Sequence, residues 1–191
     1  MQRDIRIVQS MMKNVLLFGV SCVGKTTVGR GLSQALGWRF FDVDDDIIRQ
    51  CQCTIQEFVD TYSCLERNEV RREIIEKHLE ESCDKIIAVS SMHYRSYFED
   101  IIQREDVLAI HLVDSPQNIF NRLVFTDDND QLMEDSESYK LKHKRHYLKE
   151  IRENIEFFSD IYSVIPTVYN VNGKTPDRVV AELVTIVSAK Q

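Results

Sequence analysis

Apolar residues along this chain gather in short runs, separated by longer stretches where they recur every three or four positions. The short runs are Asn14-Val15-Leu16-Leu17-Phe18, Trp38-Arg39-Phe40-Phe41, Lys85-Ile86-Ile87-Ala88-Val89-Ser90, Val107 to Val113 and Thr167 to Val171. Continuous apolar runs of strand length, rich in Val and Ile, predict strands buried on both faces, as in a parallel sheet. Between them the spacing predicts helices. Val28, Leu32, Ala35 and Leu36 share one face of a helix over residues 27–36. Further helices are predicted over residues 47–50, 54–62, 65–81, 94–103 and 139–158. The second of these opens with Thr54-Ile55-Gln56-Glu57, a capping-box pattern. Ser115-Pro116 and Thr175-Pro176 each start a helix with proline in its first turn, the latter running to Ala189. Strands alternating with helices predict an α/β protein, a three-layer α/β/α fold around a parallel sheet of about five strands.

Two stretches lack any period. Residues 126–138 are polar and acidic and read as a lid; residues 1–11 read as a disordered leader. No repeat or composition break divides the rest, so 191 residues are read as one domain. Composition narrows the partners. A hydrophobic share of 43% with 29% charged residues is ordinary for a soluble globular chain. A net charge of −7 argues against a nucleic-acid partner, and no apolar stretch is long enough to span a membrane. The basic concentration at residues 140–149 reads as a solvated helix face. Five scattered cysteines (22, 51, 53, 64 and 83) fit reduced thiols in a cytoplasmic protein, expected as a monomer or weak dimer.

Chemistry enters at the end of the first strand. Gly19-Val20-Ser21-Cys22-Val23-Gly24-Lys25-Thr26 fits G-x-x-x-x-G-K-[ST] at every required position, with a strand before it and a helix after it. The glycines let successive backbone N–H groups point inward at an anion, and the following helix adds its positive end. Gly19, Cys22, Val23, Gly24, Lys25, Thr26 and Thr27 are therefore the expected nucleotide contacts. Lys25 reaches the β- and γ-phosphates of ATP, and the Thr26 hydroxyl ligates Mg²⁺. At the end of the second strand stand Asp42 and Asp44, two residues apart. Phosphoryl transfer needs a carboxylate near the metal and a group that orients the attacking hydroxyl. A structural alternative makes Asp44 or Asp45 the N-cap of the next helix, with Asp46 facing its dipole.

With Gly19 to Thr26 followed by Phe41-Asp42-Val43-Asp44, the chain resembles the small kinases of the shikimate kinase type. The resemblance implies ATP and Mg²⁺ as cofactors, Asp42 organising the metal and Asp44 contacting the acceptor hydroxyl. It implies that Arg67 and Arg152 bind an anionic acceptor and that Arg122 packs near adenine. The implied activity is ATP-dependent phosphoryl transfer to a hydroxyl of a small anionic metabolite. Departures from the family pattern are plain. Ser90-Ser91-Met92 stands where the family has three glycines, and Asp127-Asp128-Asn129-Asp130 where its lid carries an arginine. Lys142, Lys144 or Arg145 could supply that missing charge. Two other readings fit these departures: a nucleoside or nucleotide kinase, with Arg67 and Arg71 one helical turn apart, and an ATP-binding regulatory module without turnover.

Overall fold

The structure, a computed structural model, describes residues 13–125 and 136–190. Five strands, β1 (Asn14–Phe18), β2 (Arg39–Asp42), β3 (Lys85–Ala88), β4 (Val107–Val113) and β5 (Thr167–Asn170), form one sheet in the order β2-β3-β1-β4-β5. Every pairing is parallel. β1 lies at the centre, so Val15 to Phe18 are almost wholly buried, as the unbroken apolar run requires. Side-chain donors at the buried end of the sheet find acceptors. Lys85 Nζ donates to Glu81 O at 2.6 Å, and Asn14 Nδ2 donates to Asp106 Oδ2 at 2.9 Å.

The helices are α1 (Lys25–Leu36), α2 (Val43–Cys51), α3 (Ile55–Thr61), α4 (Cys64–Leu79), α5 (Glu99–Ile102), α6 (Pro116–Arg122), α7 (Ser136–Lys142), α8 (Lys144–Ile161) and α9 (Pro176–Ala189). Helices cover the sheet in the three-layer α/β/α arrangement, with α1 packed on α9 and α6 on α8. Thr54 and Ser63 each close a full capping box, with Glu57 and Glu66 respectively. Ser115 caps α6 through Asn118 N, with Pro116 in the first turn.

Some boundaries differ from the sequence reading, each for a local reason. α2 starts at Val43 because Asp42, rather than Asp44 or Asp45, is its N-cap: Asp42 Oδ1 accepts from Asp44 N at 3.0 Å. The helix expected over residues 94–103 is a 3₁₀ turn (Arg95–Tyr97) followed by the single turn of α5. The helix expected over 139–158 begins earlier and breaks at His143, so α7 and α8 are separate. Lys140 departs from the solvated basic face: it is buried, donating to Asn121 O and Glu137 Oε1. The leader and residues 126–135 of the lid lie outside the described residues; residues 136–138 open α7.

Behind the sheet edge that carries the motifs sits an aromatic cluster. Phe18, Phe98, Phe158 and Tyr162 pack together with ring centroids 5.2–5.8 Å apart, mostly tilted or edge to face. Tyr162 is fully buried, and its hydroxyl accepts from Met92 N at 3.1 Å. That bond anchors the segment after β3, including Ser90 and Ser91, beside α2.

Candidate active site

In a parallel sheet the carboxyl ends of the strands hold the ligand. Here they bring together the loop after β1, the Asp42–Asp44 segment after β2, Ser90 after β3 and Asp114 after β4. The loop has the bend its sequence predicts: Gly19, Cys22 and Gly24 have positive φ of 146°, 59° and 111°. At Gly19 a Cβ would come within 2.6 Å of Leu112 O, so the strained backbone also excludes any larger residue. Lys25 opens α1, and its Nζ donates to Gly19 O at 2.9 Å and Val20 O at 3.1 Å. Burial pulls the Lys25 pKa down, while the charges of Asp44 and Asp42 pull it up. The half-buried Lys25 ammonium is thus held by two neutral carbonyls of its own loop. Val23 is buried beneath the loop, whereas Cys22, Thr26 and Thr27 are exposed.

The two carboxylates occupy different environments. Asp42 is buried, and its Oδ2 accepts from Thr26 Oγ1 at 2.7 Å. Burial raises its pKa, and the Thr26 hydrogen bond opposes that only in part. Asp44 is half-buried in the first turn of α2, and its Oδ1 accepts from the buried Ser90 hydroxyl. One carboxylate therefore faces the Thr26 hydroxyl, while the other is fixed from behind. Asp46 does more than face the helix dipole. It pairs with His78 Nε2 at 2.7 Å, and the His78 ring stacks on Phe41, tying α2 to α4.

The raised Asp42 value has a consequence for the ligand-free fold. Below 3.8 the carboxyl is protonated in both folded and unfolded chains. As pH rises through the interval up to the folded value, the unfolded chain releases a proton that the folded chain keeps, so stability falls. Asp42→Asn removes that loss. Asn can still cap α2, and the Thr26 hydroxyl can reverse to accept from the amide. The expected result is a higher melting temperature for the nucleotide-free variant near neutral pH, by calorimetry.

Arg122 on α6 lies against the loop. Its Nη2 pairs with Asp114 Oδ2 at 2.6 Å and its Nε donates to Cys22 O at 3.1 Å. Asp114 is the hub here. Burial would raise its pKa, but hydrogen bonds from Asn118, Arg122 and Ser115 N hold it below the usual range. Arg67 is half-buried on α4, where its Nη1 donates to Val59 O at 3.3 Å. Arg71, one turn further on, is buried at 4% exposure. Arg152 is not brought in. The α8 residues reaching the cavity of about 240 Å³ beside Val20 and Ser21 are Tyr147, Glu150, Ile151 and Asn154. The helical phase turns Arg152, one position off that face, into solvent. Lys142, Lys144 and Arg145 are exposed.

The model of the shikimate kinase family matches residues 21–187. The chain belongs to the shikimate kinase family. It is accordingly a small-molecule kinase, transferring a phosphoryl group from ATP to a hydroxyl acceptor. Among its relatives, the shikimate kinase of Geobacter sulfurreducens is 28% identical over 179 residues, covering 94% of this chain and 93% of that one. The solved shikimate kinase of Acinetobacter baumannii, in complex with shikimate, superposes with a TM-score of 0.72. It shares 16% identity, over 94% of this chain and 95% of that one. A gluconokinase from Sinorhizobium meliloti superposes at a TM-score of 0.55 with 14% identity, over 95% and 98% of the two chains. The family shares its fold with kinases of other hydroxylated acids, so the acceptor must be read from the site itself. No helix among the described residues is long and apolar enough to cross a membrane, and all five cysteines are free thiols.

Proposed function

We propose that this kinase transfers the γ-phosphoryl group of ATP to a hydroxyl of shikimate or a closely similar cyclic hydroxy acid in the cytoplasm. The observation that supports it is the convergence of Lys25, Thr26, Asp42 and Asp44 at one sheet edge, with Asp44 braced by Ser90. The loop amides and Lys25 hold the phosphates and neutralise charge that develops on the transferring group. Arg122 flanks the nucleotide from the far side of the loop. Asp44 orients the acceptor hydroxyl in line with the γ-phosphorus and takes its proton as the new P–O bond forms and ADP departs.

The donor set also fits a divalent cation. The Thr26 hydroxyl and Asp42 carboxylate are hard oxygens side by side, and the buried carboxylate makes no salt bridge among the described residues. Thr26 and Asp42 would hold Mg²⁺, which when bound would draw charge off the phosphates. The test is ADP release with ATP, Mg²⁺ and shikimate, beside a panel of sugar acids and nucleoside monophosphates. Saturable turnover of shikimate supports this reading. Turnover confined to a nucleoside monophosphate would move the assignment to a nucleotide kinase. ATP binding without turnover of any acceptor would point to a regulatory module.

A further inference from the structure

Tyr162 is the largest wholly buried side chain among the described residues, and it touches both halves of the site. It opens the 3₁₀ turn Tyr162–Val164 that follows α8. Its ring packs edge-on against Phe18 with centroids 5.6 Å apart, and Phe18 is the residue directly before Gly19 of the phosphate loop. Its hydroxyl meets the segment after β3. There it accepts from Met92 N, and the Ser91 hydroxyl hydrogen-bonds it as well. Two residues before Met92, the Ser90 hydroxyl donates to Asp44 Oδ1.

Core filling does not account for that hydroxyl. Phe98 and Phe158 pack in the same cluster with no polar atom to satisfy, whereas a buried phenol costs free energy unless it is hydrogen-bonded. Burial pushes the Tyr162 pKa well up, so the group acts as a neutral phenol. The backbone it serves has left the sheet. β3 ends at Ala88, Val89 N still donates to Leu17 O at 2.9 Å, and Ser90 to Met92 lie outside any strand. Met92 is held by Tyr162, and His93 by α4, where its N donates to Asn68 Oδ1 at 2.8 Å. A buried N–H must find an acceptor, so the place of Met92 is set by the one oxygen that it meets. Ser90 takes its position from that point, and the Asp44 carboxylate takes its orientation from Ser90.

We propose that Tyr162 is a positioning residue for phosphoryl transfer: its hydroxyl fixes the Ser90–Met92 segment so that Ser90 aims Asp44, while its ring spaces that segment from the phosphate loop. The inference rests on the reading above in which Asp44 takes the proton of the acceptor. It adds a third member, from the far end of α8, to the pair Asp44 and Ser90.

The test compares the wild type with Tyr162→Phe, Ser90→Ala, the double variant, Asp44→Asn and Phe98→Leu. Each is assayed with ATP, Mg²⁺ and shikimate, well below its melting temperature. Tyr162→Phe keeps the ring and removes only the anchor, so its kcat should fall about tenfold, with the KM for ATP unchanged. The double variant should lie within about twofold of the slower single variant, because both substitutions cut one relay. Phe98→Leu thins the same cluster and spares the hydroxyl, so it should lower the melting temperature and leave kcat near the wild-type value. Independently of turnover, hydrogen exchange over residues 88–93 should quicken in Tyr162→Phe. A Tyr162→Phe protein within twofold of the wild type in kcat, multiplying effects of Tyr162→Phe and Ser90→Ala, or unchanged exchange would each overturn the proposal. So would an equal kcat loss in Phe98→Leu, or a Tyr162→Phe chain too unstable to assay, since either makes the role purely structural. An Asp44→Asn protein as active as the wild type would overturn the underlying reading. An inactive Asp44→Asn beside a fully active Tyr162→Phe would overturn the relay alone.

Discussion

Asp44→Asn is expected to lower kcat by roughly 10²–10⁴-fold, the range a positioned general base contributes, while leaving the KM for ATP close to the wild-type value. Asn fills the same space and can still accept from Ser90 through its Oδ1. What it cannot do is take the proton of the acceptor hydroxyl. The loss corresponds to about 3–5 kcal/mol of transition-state stabilisation. Steady-state kinetics at saturating ATP measure it, and a variant within tenfold of the wild type would remove Asp44 from the chemistry. Ser90→Ala separates holding from reacting. It leaves the carboxylate in place but frees its Oδ1, so its kcat should drop less than that of Asp44→Asn.

Lys25→Ala has the other large effect, and it acts on the nucleotide. Removing the one cation that opens α1 should cost at least ~10³ in kcat, as for other charge-stabilising groups in phosphoryl transfer. Calorimetric titration with ATP–Mg²⁺ should show far weaker binding than the wild type. Equal binding by both proteins would end the assignment of this loop. The ligand-free variant should nonetheless be no less stable than the wild type. Burial depresses the Lys25 pKa, so between that lowered value and 10.5 the unfolded chain binds a proton that the folded chain has lost. Stability then rises with pH across that interval, and below it the buried charge works against the fold. Alanine has no such penalty, although it also gives up the bonds to Gly19 O and Val20 O.

The sheet and the phosphate end of the site were legible in the sequence because each rests on a local signal. Five apolar runs became five parallel strands, and the loop from Gly19 to Thr26 has the positive φ angles its glycines promise. The pair Asp42 and Asp44 was visible as a motif, but the cap of α2 was not: it was expected at Asp44 or Asp45 and lies at Asp42, since each of these carboxylates can reach an N–H two residues on. The acceptor end was the least legible, and α4 shows why. Its inward face is made of Asn68, Arg71, Ile74, Ile75, His78 and Leu79, as polar as it is apolar. Hydropathy spacing cannot tell such a face from a solvated one. Arg67 and Arg152 could be nominated from family spacing, but only the packing shows one half-buried and the other turned outward. The Ser90–Asp44 bond spans 46 positions and leaves no trace in either local pattern.

The last helix gives the fold an order of assembly. α1, which opens at the phosphate loop, lies against α9, and Gly31 lacks a side chain where Val180 presses closest. One partner is made early in synthesis and the other about 150 residues later, a gap of many seconds on the ribosome at typical elongation rates. Throughout that interval the flank of α1 that meets α9 has no cover, and the nascent loop lacks that brace. A growing chain should thus remain blind to ATP until its final helix has docked, so the capacity to bind nucleotide arrives as one of the last events of folding.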